Sequence, residues 1–412
     1  MIMIMNVIVN VLTLCILLSL SSIQILKAQI RGCTDPQANN YNSSATINDG
    51  SCTYPAYSIS PLQSINLPSI MNESSGLIIE SDSVWTHNDD SDINLYRCSV
   101  KDVGYSVFPL TGAKNTEWED MSSDDIYFYL ADVGNNSAGN RTDLRILRVR
   151  KEEVLKGIML FDTIRFVYED QSISGAQAAN TTDFDCEAIA VIGDSIVLFS
   201  KMWTTQKSVI YTIPKQPGTY IAKKKATLDI GGLITGANAL KNKQLIILCG
   251  YSTFLQPFLY LLYDFPGTEY HAGNKRKISL NLPFHQVEGI ATQDGLKAYC
   301  TNEKLVQSFI DIKPALHSLD LSNLLSQYLQ RVSSTETDGE DDIQIVHETD
   351  NVIFTVHPSC IGTPYRLLNL QGDVVLSSII DSQSCTLPSN VLLSGYYLLQ
   401  YKSYVKALCI MR

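Results

Sequence analysis

The sequence predicts an all-β chain, a β-propeller followed by a small C-terminal β-sandwich. Three observations carry that expectation. Short runs rich in Val, Ile, Tyr, Phe and Leu alternate with turn clusters such as Gly134-Asn135-Asn136-Ser137 and Gln216-Pro217-Gly218. One short element recurs in five copies between Pro55 and Ser333, each copy followed by a β-rich run. No long amphipathic pattern competes with the strands. The expected division is 1–28 signal peptide, 29–54 Cys-bracketed module, 55–332 propeller, 333–342 acidic linker and 343–412 sandwich.

The N-terminal stretch holds an apolar core from Ile8 to Leu20, then Ser21 and Ser22, then a cut site after Ala28. That layout reads as a secretory signal, although no Lys or Arg precedes the apolar core. The run is shorter than the roughly 20 residues a spanning helix needs, and no later segment reaches that length. Net charge is -11 with a pI near 5.0, which argues against a nucleic-acid partner and fits an exported protein kept soluble by carboxylates. Localisation is therefore expected to be extracellular or on the outer-membrane surface.

Residues 32–54 read GCTDPQANNYNSSATINDGSCTY, two cysteines bracketing a loop dense in Asp, Asn, Ser and Gly. So short a unit buries no core of its own. A Cys33–Cys52 disulfide closing a loop of about 20 residues would contribute roughly 3 kcal/mol by restricting the unfolded chain. Asp35, Asn39, Asn42, Asn48 and Asp49 offer hard oxygen donors of the kind calcium takes. The same residues build tight turns through their own side chains, and the Asp-x-Asp-x-Asp-Gly series with its distal Glu is missing. The stretch resembles a short Cys-bracketed module found in exported proteins of the Bacteroidetes. With Cys15 removed in the signal, an odd number of cysteines is left, none in Cys-x-x-Cys spacing, which disfavours zinc.

In the middle segment the copies are Ser75-Gly76-Leu77, Glu119-Asp120-Met121, Glu187-Ala188-Ile189, Thr235-Gly236-Ala237 and Glu288-Gly289-Ile290. The runs that follow include Val84 to Asp89, Ile126 to Asp132, Ile196 to Lys201, Leu245 to Gly250 and Ala298 to Glu303. In the longest interval Lys151 to Val154 reads as a turn before a strand resumes at Thr163 to Tyr168. A four-stranded blade takes about 40–50 residues, so about 280 residues predict six blades, with five or seven as neighbouring values. Asp185-Cys186-Glu187-Ala188-Ile189 and Val287-Glu288-Gly289-Ile290-Ala291, the latter with Thr301-Asn302-Glu303, resemble elements of phytase-like and related propellers. That resemblance implies the fold, and calcium-dependent phosphoester hydrolysis as one activity of the group.

The acidic run Ser333 to Asp342 reads as a solvated linker. Beyond it, Val352 to Val356, Tyr365 to Leu370, Asp373 to Leu376 and Gly395 to Tyr401 read as strands of a small sandwich. Residues 365–375 (YRLLNLQGDVV), Leu393 to Leu398 and the basic end Lys406 and Arg412 resemble the C-terminal sorting domain of the type IX secretion system. His357-Pro358-Ser359-Cys360 stands where Pro-Asn-Pro is usual. The resemblance implies that the outer-membrane secretion machinery is a partner through this domain.

Local catalytic signatures are absent: no Gly-x-Ser-x-Gly, His-Glu-x-x-His, P-loop or dinucleotide glycine pattern occurs. A site assembled from several blades would lie where inner strands converge on the axis. Glu119, Glu187 and Glu288 are repeat-equivalent there, and Asp89, Asp132 and Glu303 end the strands that follow. Crowded carboxylates repel unless a cation or a basic ligand group sits among them, which makes this rim the candidate site for a ligand or calcium. The alternative is that each Glu caps its own blade. Lys201 breaks the acidic series and would pair with a carboxylate, contact phosphate, or stand as a solvated strand end. Trp85, Trp118 and Trp203 offer stacking faces or core packing. The reading is a secreted or surface binding or scaffold module for an unidentified glycan, peptide or phosphoester, with a calcium-dependent phosphoester hydrolase as the alternative.

Overall fold

The computed structural model describes residues 29–90, 92–102, 104–158, 160–172, 175–336, 343–347, 352–356, 361–382, 384–387, 392, 394–401 and 404–410. The signal-like stretch therefore lies outside the described residues. The chain divides into two compact units, one ending at Asp320 and one beginning at Leu321. No helix among the described residues is long and apolar enough to cross a membrane.

The first unit is a five-bladed propeller. Its inner strands, Ser74–Glu80, Trp118–Ser123, Asp185–Ile192, Leu233–Leu240 and Val287–Thr292, each pack against the next, and the last returns to the first. Each opens a four-stranded antiparallel sheet. The fourth strand of blade 5 is Gln63–Asn66, from the N-terminal side, which pairs with Ala315–Asp320 and closes the ring. Six blades are thus corrected to five. Dividing by length failed because the intervals are stretched by the loop at 169–184, by an 11-residue outer strand Gly218–Leu228, and by a hairpin Leu305–Gln307/Ile310–Ile312. The five repeat copies each mark one blade.

Alternation of side chains makes these strands apolar throughout. In blade 2, Phe128 and Leu130 face the core shared with blade 1, whereas Tyr129 and Ala131 face the core shared with blade 3. Ile196 and Leu198 likewise face blade 2, and Val197 and Phe199 face blade 4. A strand buried on both faces needs no polar alternation. Each large side chain so buried stabilises the ring by about 1.5–3 kcal/mol. Blades 2 and 3 are also joined at their rims by parallel pairing of Phe161–Tyr168 with Gly218–Leu228. Lys151–Leu155, expected as a turn, is a single helical turn.

The Cys33–Cys52 disulfide is formed, with an S–S distance of 2.02 Å. Its module is fastened to blade 4: Asp35 Oδ2 accepts the Tyr263 hydroxyl at 2.6 Å and the Tyr54 hydroxyl at 2.9 Å, and Arg276 donates to Gln37 Oε1 at 2.6 Å. Asn48 donates to Asn274 Oδ1 at 2.9 Å. Four of the five residues considered for calcium use a side-chain oxygen in the local turns. Asp35, Asn42, Asn48 and Asp49 accept the backbone N–H of Gln37, Ser44, Gly50 and Ser51, and the Asn39 N–H donates to Thr53. Cys98, Cys186, Cys249, Cys300 and Cys385 are buried free thiols.

The second unit begins with a helix, Ser322–Glu336, that covers 333–336 of the stretch read as linker. Buried Leu324, Leu325, Tyr328 and Leu329 recur at helical spacing. A three-stranded sheet (Ile343–His347, Val352–Val356, Ser384–Leu387) and a four-stranded one (Val374–Ile379, Pro364–Leu368, Gly395–Tyr401, Tyr404–Ile410) form the sandwich. Phe354, Leu367, Leu387 and Leu399 lie in its core. His357-Pro358-Ser359-Cys360 lies outside the described residues.

Candidate functional site: an acidic mouth on the propeller axis

Every inner strand carries a register shift at the same repeat position, at Ser75, Glu119, Glu187, Thr235 and Glu288 or the residue beside it. Such a bulge re-aims one side chain out of the ladder. The next residue is Gly76, Asp120, Ala188, Gly236 or Gly289, and at the three glycines there is no room for a side chain. A Cβ on Gly76 would strike the backbone of Asp120 and Met121, and one on Gly236 would strike Glu288 O. The non-acidic members tie blades together: Ser75 Oγ donates to Glu119 O, and Thr235 Oγ1 donates to Val287 O at 2.5 Å.

Around this ring eight carboxylates gather, those of Glu73, Asp89, Glu117, Glu119, Asp185, Glu187, Glu288 and Glu303. They form two tiers. Glu119, Asp185, Glu187 and Glu288 are buried, while Asp89, Glu117 and Glu303 are half-buried and Glu73 is exposed. One ammonium stands among them. Lys201 Nζ is 2.6 Å from Glu187 Oε2 and 3.2 Å from the Tyr251 hydroxyl, which also accepts from Gln286 Nε2 at 3.3 Å. Burial alone would lower the lysine's pKa, but Glu187, Tyr251 and Glu288 around it carry it well above the ordinary value, so it stays charged.

Three of the acids are pushed toward their neutral form. Burial, then the charges of Glu117 and Glu288, raises Asp89 to about 8. Burial, then Glu187 and Asp89, raises Glu119 well above the usual carboxylate range, and burial, then Glu288 and Asp89, does the same for Glu303. Neither Glu119 Oε1 nor Asp89 Oδ1 has a hydrogen-bond partner. Gly134 leaves the space the Glu119 carboxylate occupies, where any Cβ would collide with it. Two carboxylate triads share Glu119: Asp89, Glu117 and Glu119, and Glu119, Asp185 and Glu187, each with oxygens within 4.8 Å of one another. All are hard oxygen donors, the type calcium or magnesium takes. Crowding of this kind, in low dielectric, can be relieved by protons, by a metal ion, or by a cationic group from a ligand.

The structure brings together Asp89, Glu119, Glu187, Lys201, Glu288 and Glu303, and it leaves out Asp132. The register explains why. Asn88, Asp132, Ser200, Gly250 and Asn302 pair opposite the residue before the bulge, so the position equivalent to Asp89, Lys201, Tyr251 and Glu303 in blade 2 is Val133. One residue out of step, Asp132 points elsewhere and is held by Arg141 Nη2 at 3.0 Å and Arg145 Nη2 at 2.7 Å. Trp85 and Trp118 are core residues, while Trp203 donates to Asp185 Oδ2 at 2.8 Å and lies 4.7 Å from the Lys201 ammonium.

Sequence reasoning missed Glu117 and Asp185, which stand two residues before Glu119 and Glu187. In an extended strand residues i and i+2 share a face, so Glu117-Trp118-Glu119 and Asp185-Cys186-Glu187 carried that signal. It also missed Asp120, whose fully buried carboxylate accepts N–H bonds from Met121 at 2.8 Å, Ile189 at 2.8 Å and Ala237 at 3.2 Å. One side chain thereby joins blades 2, 3 and 4.

No family model matches the sequence, and none of the curated proteins does. Solved structures similar to it include WD40 propellers. PorZ, a surface component of the type IX secretion system of Porphyromonas gingivalis, is 11% identical with a TM-score of 0.29, over 82% of this chain and 45% of its own. The chain thus spans less than half of that protein's length. The RRP9 WD40 repeats are 9% identical with a TM-score of 0.30, over 84% of this chain and 91% of theirs. A protein of unknown function from Dyadobacter fermentans is 10% identical with a TM-score of 0.35, over 63% and 98%. At these values none of them bears on what this chain binds or does; what the chain is, on its own geometry, is a five-bladed propeller with an acidic axial mouth, followed by a β-sandwich.

Proposed function

We propose that the chain is an exported binding propeller, secreted or held at the cell surface, whose ligand is taken at the axial mouth. A single observation carries this reading: Asp89, Glu119, Asp185, Glu187, Glu288 and Glu303 crowd around one lysine, and that lysine already serves Glu187. Burying so much like charge costs folding free energy, and a ligand bringing positive charge removes that cost. The formed Cys33–Cys52 bridge supports an oxidising destination, consistent with the signal-like N-terminus and the sorting-like C-terminal sandwich. The test is an array of glycans, peptides and surface components probed with the mature protein and with Asp89→Asn/Glu303→Gln. Ligands that bind the former and lose at least tenfold with the latter are expected. An array in which no ligand distinguishes the two overturns the reading.

The two triads sharing Glu119 favour a second reading, calcium-dependent phosphoester hydrolysis. A phosphoester site also needs basic groups free to hold phosphate, and Lys201 is committed to Glu187. Phosphoester turnover with calcium that is abolished by chelator would establish it, and no chelator-sensitive turnover would end it.

A further inference from the structure

The mouth is bordered on one side by exposed phenylalanines. The loop at 252–256 leaves blade 4 from the strand end that carries Tyr251. The loop at 281–286 enters the blade 5 inner strand at its mouth end, and the hairpin at 305–312 follows Glu303 by two residues. All three open onto the same face as the acids. They present Phe254, Phe284, Val306 and Phe309, with exposures of 86%, 42%, 64% and 91%. The Phe284 N–H donates to Leu255 O at 2.9 Å, so the first two loops are joined, and the Glu303 N–H donates to Gln286 O at 3.1 Å.

These positions are held against local preference. Leu255, Phe284 and Ser308 have φ of 56°, 66° and 54°, the left-handed region that bulky residues avoid. Each such residue costs on the order of 1–3 kcal/mol, and strain of this kind gathers at binding sites. Each of the three presents or adjoins a solvent-facing phenylalanine.

We infer that the mouth takes a polypeptide partner that inserts a Lys or Arg side chain among the acids while apolar residues beside it cover the phenylalanine collar. This rests on the mouth being the ligand site. Charge complementarity selects the occupant. The open tier of Glu73, Asp89, Glu117 and Glu303 faces a cation, and the basic groups near it are exposed Lys304, Arg141, which is bound to Asp132, and Lys201, which is bound to Glu187. A metal ion alone would satisfy the acids and leave the collar uncovered, and a neutral glycan would leave the acids unpaired. Aromatic anchors around a desolvated charge pair are the usual makeup of a binding hot spot. The deep tier, closed by Glu187 and Lys201, stays as it is.

The test pans a random dodecapeptide display library with the mature chain, then measures an enriched synthetic peptide by fluorescence anisotropy. Enriched peptides are expected to place Lys or Arg beside Phe, Trp, Leu or Ile. Acetylating that lysine, which needs no change in the protein, should weaken binding at least tenfold, as should Asp89→Asn/Glu303→Gln and, separately, Phe254→Ser/Phe309→Ser. Affinity should also fall as salt rises from 0.05 to about 0.5 M, where exposed charges are screened. Enrichment of peptides without a basic residue, no enrichment, or unchanged binding by the phenylalanine variant overturns the inference. Calcium alone, added as chloride, distinguishes the levels. If it binds the wild type and not the Asp89/Glu303 variant while peptides fail, the mouth remains a ligand site for another occupant. If neither peptide nor calcium distinguishes the two proteins, both readings fall.

Discussion

Replacing Lys201 by Met keeps the length of the side chain and removes the only ammonium within the acid cluster. The Lys201 and Glu187 side chains are 5% and 3% exposed and 2.6 Å apart, so water does not replace the lost partner. At an effective dielectric of about 20 their attraction is on the order of 6 kcal/mol, and breaking a buried pair costs about 3–5 kcal/mol. Glu187 escapes part of this by taking a proton. Starting from its ordinary value of 4.5, the proton costs about 2 kcal/mol at pH 6 and about 5 kcal/mol at pH 8, at about 1.36 kcal/mol per unit. The sign follows: between those pH values the variant's folded state holds a proton that its unfolded state has released, so stability falls as pH rises. With about 2–4 °C of Tm per kcal/mol, the expected loss is about 4–8 °C at pH 6 and about 10–20 °C at pH 8. Thermal melts by circular dichroism at both values, each against wild type, measure it. Equal losses at the two pH values, or less than about 3 °C at pH 8, would refute the argument that Lys201 serves as counter-charge.

In the wild type without ligand, Tm should fall between pH 6.5 and 8.5, by at most about 1.4 kcal/mol per unit for each proton, because Asp89 at about 8 keeps a proton the unfolded chain has lost. The window starts at 6.5 because buried His87 and His317, both depressed to about 4, raise stability with pH only below it; Asp89→Asn should flatten the fall. Asp120→Ala leaves the N–H groups of Met121, Ile189 and Ala237 without an acceptor and should cost about 3–5 kcal/mol in urea unfolding, against under about 1 kcal/mol if the bonds contribute nothing. Gly236→Ala drives a Cβ into Glu288 O and should destabilise by about 1–3 kcal/mol, whereas Gly175→Ala, with nothing near its Cβ and no positive φ, should cost no more than about 0.5 kcal/mol. Cys33→Ser/Cys52→Ser should expose 31–54 to limited proteolysis while blades 1 to 3 stay protected in hydrogen exchange, since that module leans on blade 4.

The propeller was legible because the repeat is a backbone event. A bulge at one position in every inner strand demands either a side chain that looks into the channel or a glycine beside it, and both leave letters in the sequence. Blade number was less legible, since insertions such as the 305–312 hairpin add length without adding a repeat. Asp132 shows the limit of reading strand ends by composition: one step of register turns a side chain to the opposite face, and only the pairing partner reveals the step. The helix at Ser322–Glu336 was hidden because its buried residues, Leu324, Leu325, Tyr328 and Leu329, fall in its first half, and its second half is Ser- and Thr-rich. The acids of the mouth were found where they recur in phase. Asp120 was not, because its partners are backbone N–H groups of two other blades, which have no signature of their own.

The strand Gln63–Asn66 that completes blade 5 has a consequence for how the ring tolerates cutting. The four antiparallel strands of every other blade come from one uninterrupted stretch, so among the described pairings a break in the loop at 169–184 separates, besides that strand, the rim pairing of blades 2 and 3 and the short pairing of Ser58–Ile59 with the outer strand of blade 4. The two pieces would still each need the other. The leading piece carries the strand that the trailing piece lacks, and the trailing piece carries the three strands on which it lies. Two separately made halves divided at that loop have the means to find one another, and a reporter split there would read the clasp directly.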